Sequence, residues 1–372
     1  MEDYVKILSD LVAFDTESSD LAEFDKSNFE LIKYARSFFE NLGFSVEITE
    51  VNTGKYNLIA SFGDKNGGLL LSGHTDTVPC DKALWQSDPF TLTQKGSRLY
   101  GLGSCDMKGF LALAMCFAKK VKSFKKSTPL HILMTADEET SMIGASSFIK
   151  SNNVNPDVII IGEPTSLDCI CTHKGYMARK VTIKGRSCHS SDPQSGINAI
   201  KIAGEVIEEL NRFEDRLKQY QDKRFSVTYP TLNIGVIKGG DSVNRVCPFA
   251  EILFDVRPTS MFDADKVNQE LQLIKNKLNE KYSGAIDIME LYPDIDPFDN
   301  HNKEVLALFK QVTGKDGIGV NYCTEASFLN KIGDVVVMGA GDIANAHQID
   351  EYIDLNEAYK CYDIITKIYN LL

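Results

Sequence analysis

The feature that most constrains this chain is a set of short, continuously apolar runs, each leading into a polar segment that carries an acid or a histidine. Gly68-Leu-Leu-Leu-Ser72 leads into His74 and Asp76, and Leu130 to Thr135 leads into Asp137-Glu138-Glu139. Val158 to Ile161 leads into Glu163, and Val335 to Met338 leads into a Gly/Ala/Asn-rich loop with His347. Apolar runs without alternation are the signature of strands buried on both faces. Between them, Met107 to Val121 and Ile143 to Lys150 show helical spacing. Strands alternating with helices predict an α/β sheet covered on both faces. In such sheets ligands bind beyond the strand ends.

The flanking segments fit the same scheme. Leu8, Leu11 and Val12 recur at helical spacing, Phe29 to Phe39 continue in a second helix, and Gly43 ends it. Phe44 to Val51 and Asn57 to Phe62 read as strands. The pattern changes near residue 175. Tyr176 to Lys184, Thr231 to Lys238, Ala250 to Val256 and Ala285 to Leu291 read as strands, with amphipathic helices over Asn198 to Leu217 and Ala264 to Leu278. That strand-helix-strand-strand-helix-strand order is the mark of a small α+β sandwich. After Pro293 the first style returns, with a helix over 302–312 and a closing helix over 356–371. The expectation is therefore a catalytic domain from 1–174 and 287–372, with a mixed, largely parallel sheet between helices. A two-layer α+β domain is expected to be inserted at 175–286.

A length of 372 residues suits two domains rather than one core. A net charge of −12 argues against nucleic acid and anionic membranes as partners. Met1-Glu-Asp-Tyr-Val carries acid where an export signal carries base, and the longest apolar run, Phe110 to Ala118, is far short of a membrane span. The 9 cysteines include no C-x-x-C and lie mostly in apolar stretches, as reduced thiols of a cytoplasmic protein would.

The strand ends carry the chemistry. His74 and Asp76, two apart on an extended segment, share a face, so a carboxylate can stand behind the imidazole and fix its tautomer. The pair alone is equally a hydrogen-bonded turn. Asp106 follows Gly101-x-Gly103 and begins a helix, where an Asp also serves as N-cap. The third glycine of a dinucleotide-binding fingerprint would fall at 106, so a nicotinamide-dependent oxidoreductase is disfavoured. Glu138 and Glu139 are adjacent and point different ways, so one can ligate a metal while the other faces the bound water. If the segments converge, Asp76, Asp106, Glu138, Glu139 and Glu163 bring five negative charges together. Without cations they would repel and destabilise the fold. The set His74, Asp106, Glu139, Glu163 and His347 suits two hard or borderline cations sharing one carboxylate, and mixed imidazole and carboxylate ligands suit zinc, with cobalt or manganese as substitutes. Of the other histidines, His131 reads as a satisfied packing residue and His301 as solvated.

These segments resemble the M20 family of co-catalytic zinc metallohydrolases, which includes aminoacylases, desuccinylases and carboxypeptidases. The motifs are Ser72-Gly-His-Thr-Asp-Thr-Val-Pro79, Gly103-Ser-Cys-Asp-Met-Lys-Gly109, Thr135-Ala-Asp-Glu-Glu-Thr140, Gly162-Glu-Pro164 and Ala346-His-Gln-Ile-Asp350. The resemblance covers nearly the whole chain. It implies one Zn²⁺ held by His74, Asp106 and Glu163 and another by Asp106, Glu139 and His347. It also implies Asp76 as support for His74, Glu138 as general acid/base, and a cis peptide after Asp106.

The inserted domain would be a lid and dimerisation domain. In it His189, within Ser187-Cys-His-Ser-Ser191, would reach a partner subunit's active site and stabilise the oxyanion. Asn244 and Arg257 match positions that bind a substrate carboxylate. Glu325 lies in the segment that would meet the substrate side chain, where an acid suits a cation. Within the family, the resemblance along Thr135-Ala-Asp-Glu-Glu-Thr-Ser-Met142, Gly239-Gly-Asp-Ser-Val-Asn-Arg245, Tyr322-Cys-Thr-Glu-Ala326 and His347-Gln-Ile-Asp-Glu-Tyr352 implies removal of the acetyl group from N2-acetyl-L-ornithine, a step of arginine biosynthesis, and the resemblance to dimeric members implies a homodimer. Other specificities stay open: N-acetylcitrulline, a general N-acyl amino acid, succinyl-diaminopimelate or a dipeptide. A non-catalytic metal-dependent binding protein is the reading from a different class.

Overall fold

The computed structural model describes residues 1, 3–124 and 128–372. They divide into two compact units, described separately. The first comprises Met1–Cys171, Asn300–Ile318 and Thr324–Leu372; the second comprises Thr172–Asp299 and Gly319–Cys323.

The first unit is built on a mixed sheet. In chain order its strands are β1 (Ser45–Asn52), β2 (Lys55–Phe62), β3 (Leu69–His74), β4 (Leu130–Thr135), β5 (Val158–Ile161), β6 (Ile170–His173, of which Ile170 and Cys171 belong to this unit) and β7 (Asp334–Val337). In space the order is β1-β2-β4-β3-β5-β7-β6. The four strands β4, β3, β5 and β7 run parallel, with Leu69 opposite Leu130 and Val158, and Val335 opposite Ile159. Every residue of β3, β4 and β5 is buried, which explains their lack of alternation. The edges are antiparallel: β1 on β2, β2 on β4, and β6 on β7.

The apolar run from Phe110 to Ala118 lies in helix Lys108–Lys120, which is buried from Lys108 through Ala118. A helix apolar on all sides is a core element. Its side chains join Tyr4, Leu8 and Leu11 of the first helix and Cys361, Ile365 and Ile368 of the last in one core. Gly162 shows how tightly the sheet meets this helix: a Cβ there would lie 1.8 Å from the Phe110 ring. Gly43, at φ +85°, ends helix Phe29–Leu42 in the left-handed conformation that favours glycine. A small sheet formed by Tyr352–Asp354, Arg98–Tyr100 and Thr93–Lys95 has no counterpart in the sequence pattern. No helix among the described residues is long and apolar enough to cross a membrane.

The second unit is a four-stranded antiparallel sheet in the order Thr231–Gly239, Phe249–Arg257, Met177–Lys184, Ile286–Glu290. Phe249–Arg257 alternates strictly between buried and partly exposed positions, as a sheet with one covered face requires. Helices Ala199–Leu217 and Ala264–Tyr282 supply Val206, Leu210, Phe213, Leu271 and Ile274 to that core. Asn198 caps the first helix, its side chain accepting the N–H groups of Ile200 and Lys201. The unit continues past 286 to Asp299, because Ile286–Glu290 hydrogen-bonds to Met177–Lys184 and completes the sheet. The return to the first unit therefore falls later than the expected residue 287.

Candidate metal centre and its supporting residues

Parallel strands end on the same side of a sheet, so the ends of β3, β4 and β5 deliver His74, the 136–140 turn and Glu163 to one rim. Asp106 arrives from the Gly101–Cys105 loop at the start of the central helix. The peptide bond between Asp106 and Met107 is cis.

At this rim the ligand atoms of His74, Asp106 and Glu139 lie within 4.8 Å of one another. His74 Nε2 is 3.1 Å from Asp106 Oδ1. His347 Nε2 is 2.9 Å from Glu139 Oε1 and 3.6 Å from Asp106 Oδ2. Asp106 thus contacts both histidines, and Glu163 shares a hydrogen bond with it. Glu163 keeps one buried carboxylate oxygen, Oε1, without a hydrogen-bond partner. His74, Asp106 and Glu163 are buried, whereas His347 is exposed. His347 also sits at φ 58°, in the left-handed region that a non-glycine residue seldom adopts without support.

Asp76 differs from its expected arrangement. His74 Nδ1 stands 2.9 Å from the backbone carbonyl of Asp76, and the carboxylate is 3.7 Å away. That carboxylate instead accepts the backbone N–H groups of Glu138 and Glu139, at 3.2 and 3.1 Å. It holds the turn on which both glutamates sit. Sequence reasoning missed the rest of that support. Asp137, at φ 55°, accepts from Lys55 at 2.8 Å and from the Ser18 hydroxyl at 3.0 Å. The Asn57 side chain accepts Ala136 N–H at 3.1 Å. Lys55 and Asn57 lie on β2, where nothing in the periodicity marks them as supports for a neighbouring turn.

The electrostatics follow from packing acids together out of water. Burial, then repulsion from Glu163, raises Glu138 well above the usual carboxylate range. Burial, then repulsion from Asp106, does the same to Glu163. Glu139 is raised by burial, against the opposing pull of its His347 hydrogen bond. Burial also opposes ionisation of Asp106, but His74 and His347 outweigh it and hold Asp106 below its ordinary value. Burial acts to lower His74, yet the Asp106 hydrogen bond and the surrounding acids raise it well above the ordinary imidazole value. An orphaned carboxylate oxygen, converging acids and two imidazoles fit a divalent cation, since cations offset the repulsion and turn both ring nitrogens into ligands.

Glu325 is buried at 1% exposure. Its Oε2 accepts the Thr135 hydroxyl at 2.9 Å, while Oε1 has no partner. Burial pushes its carboxyl up to about 7. Although it precedes the short helix Ala326–Leu329, its side chain makes no capping hydrogen bond. Such a side chain presents no open face to a substrate amine.

In the second unit, His189 is exposed, and its Nδ1 lies 2.7 Å from the Ser191 hydroxyl. The Asn244 side-chain oxygen accepts from Ser242 at 2.6 Å. Arg257 donates to Asp255 at 3.2 Å and lies over the Tyr176 ring, 4.3 Å from its centroid. Arg257 therefore makes an ion pair at the end of its own strand, and its guanidinium face is already stacked. His131 is buried; its Nδ1 contacts Ser61 at 2.9 Å, and its Nε2 has no partner, so it is less fully satisfied than its strand position implied.

This fold and ligand set define a metal-dependent hydrolase. Residues 70–370 match the profile of peptidase family M20/M25/M40. The chain is 41% identical over 369 residues to the acetylornithine deacetylase of Pasteurella multocida, covering 98% of this chain and 97% of that protein. It is 44% identical over 319 residues to the acetylornithine deacetylase of Photorhabdus laumondii, covering 85% and 83%. Among solved structures, an M20 family metallo-carboxypeptidase from Sulfolobus solfataricus superposes with a TM-score of 0.76 at 20% identity, over 100% of both chains. The chain belongs to peptidase family M20/M25/M40.

Proposed function

We propose that this chain removes the acetyl group from N2-acetyl-L-ornithine to give L-ornithine and acetate, a step of arginine biosynthesis. The carrying observation is the 41% identity to a named acetylornithine deacetylase along 98% of the chain. The cluster of His74, Asp106 and Glu139 supports the hydrolytic chemistry. His74, Asp106 and Glu163 would hold one zinc ion and Asp106, Glu139 and His347 another, with cobalt or manganese as substitutes. When bound, the ions would polarise the acyl carbonyl and make water acidic enough to act as a nucleophile near neutral pH.

The remaining roles belong to side chains. Glu138 takes the proton from the attacking water and returns it to the leaving nitrogen. Its burial suits that exchange, because a carboxylate made more basic takes a proton from water more readily and holds it until the leaving nitrogen needs it. Asp76 fixes the turn that aims Glu138, through the two N–H groups its carboxylate accepts. His189 would stabilise the oxyanion, and Asn244 and Arg257 would bind the substrate carboxylate, for which a guanidinium fork is suited. Glu325 would favour a cationic side chain through its charge rather than by contact. A homodimer is supported by the edge strand Thr231–Gly239, whose Ile237 is 56% exposed.

Turnover of N2-acetyl-L-ornithine beside N-acetylcitrulline, N-acetylmethionine, succinyl-diaminopimelate and a dipeptide tests the reading. It should be run with and without chelator, followed by zinc or cobalt. The expected result is a preference for acetylornithine that the chelator abolishes and metal restores. A strong preference for the succinyl substrate contradicts it.

A further inference from the structure

Five hydrogen bonds from one loop converge on a single buried residue to which no role has been given. The carboxylate of Glu351, 2% exposed, accepts the Gly103 N–H at 3.0 Å on one oxygen. Its other oxygen accepts the N–H groups of Cys105 and Asp106 at 2.7 and 2.9 Å. The Glu351 carbonyl accepts the Gly101 N–H at 3.0 Å and the Ser104 hydroxyl at 3.3 Å. Beyond it, Tyr352–Asp354 pairs with Arg98–Tyr100, so the contact continues on the other side of the loop. Four residues before Glu351 stands His347.

The consequence is geometric. Asp106 and His347 lie on segments far apart in sequence, and both segments are fastened at one carboxylate. Buried N–H groups are costly to leave unpaired, and charge-assisted bonds to a carboxylate are the stronger kind. With three of them on one side chain, the loop backbone up to Asp106 has little freedom to turn. His347, exposed and in left-handed backbone, has less support of its own.

We propose that Glu351 is a positioning residue: it sets Asp106 and His347 at the separation that lets both meet one cation. The proposal rests on the ligand assignment above. The test is titration of the metal-stripped full chain with Co²⁺, following visible absorbance and heat. Wild type should take up two equivalents. Glu351→Gln places an amide N–H₂ against loop N–H donors, so it should weaken the second equivalent 10- to 100-fold while keeping the wild-type circular dichroism. Ser104→Ala, which removes only the hydroxyl bond to the carbonyl, should bind like wild type.

A Glu351→Gln chain that binds both equivalents with wild-type affinity overturns the proposal, even where its metal-free melting temperature falls, because that pattern is a purely structural role. Wild-type protein that takes up fewer than two equivalents overturns the ligand assignment and this proposal with it. Should Glu351→Gln fail to fold, Glu351→Asp decides by the same readout, since it keeps the charge but withdraws it from the loop.

Discussion

The strand-end rim of the first unit and the polar surface of the second use the same residue types under opposite conditions. At the rim, His74, Asp106 and Glu163 are buried, share contacts and shift one another's ionisation. In the second unit, His189 is exposed and contacts Ser191, while Asn244 and Arg257 engage Ser242 and Asp255. Burial makes the rim informative by itself, since charges crowded without water demand a cation. The same side chains on a surface are satisfied by near neighbours, so their geometry within the unit says little about what they do.

That contrast yields tests in descending size. Glu138→Gln should lower kcat by roughly 10²–10⁴-fold with metal content unchanged, measured by steady-state turnover and metal analysis; normal turnover removes Glu138 from its role. His189→Ala should also leave metal content unchanged and lower kcat by about 10²–10³-fold if it stabilises the oxyanion. A loss of metal in that variant instead would break the division between the two regions. Asp76→Ala frees the 138–139 turn, so metal affinity or activity should fall by about 10–100-fold, measured by titration and turnover. Glu325→Gln should lower kcat/KM for acetylornithine more than for N-acetylmethionine, whose side chain is uncharged. Equal losses would show that its buried charge has no part in specificity.

A separate test concerns stability. Burial lowers His131 from 6.5 to about 4. The folded chain therefore keeps it neutral where the unfolded chain takes up a proton. Its contribution is fully present above pH 6.5 and is lost as pH falls toward 4, by at most about 3 kcal/mol. Urea unfolding at pH 7 and pH 4 should show wild type losing more stability than His131→Gln. Equal losses would mean that burial does not hold His131 neutral in the folded chain.

How much was legible in the sequence follows from the same physics. β3, β4 and β5 are buried on both faces, so their composition alone marked them, and with them the rim. The two helices of the second unit are legible by their period, whereas the capping contacts of Asn198 appear only in the structure. The strands Arg98–Tyr100 and Tyr352–Asp354 are too short to show a period, so the clasp they form around the Asp106 loop was invisible. With it went the importance of Glu351. Asp76 was recognised as a supporting acid, but its partners are backbone N–H groups 62 and 63 positions away, and no sequence pattern encodes such a contact. Glu325 was read as facing a substrate because sequence carries no record of depth. The strand Ala285 to Leu291 reads as part of the sandwich, yet the expected limit at 286 falls short of it and of Asp299, where that stretch of the second unit ends.

The most direct test is anomalous diffraction at the zinc edge from crystals of the zinc-loaded protein. The account predicts two peaks, one among His74, Asp106 and Glu163 and the other among Asp106, Glu139 and His347, with Asp106 touching both. Peaks at other residues, or an active enzyme with none at this rim, would contradict it.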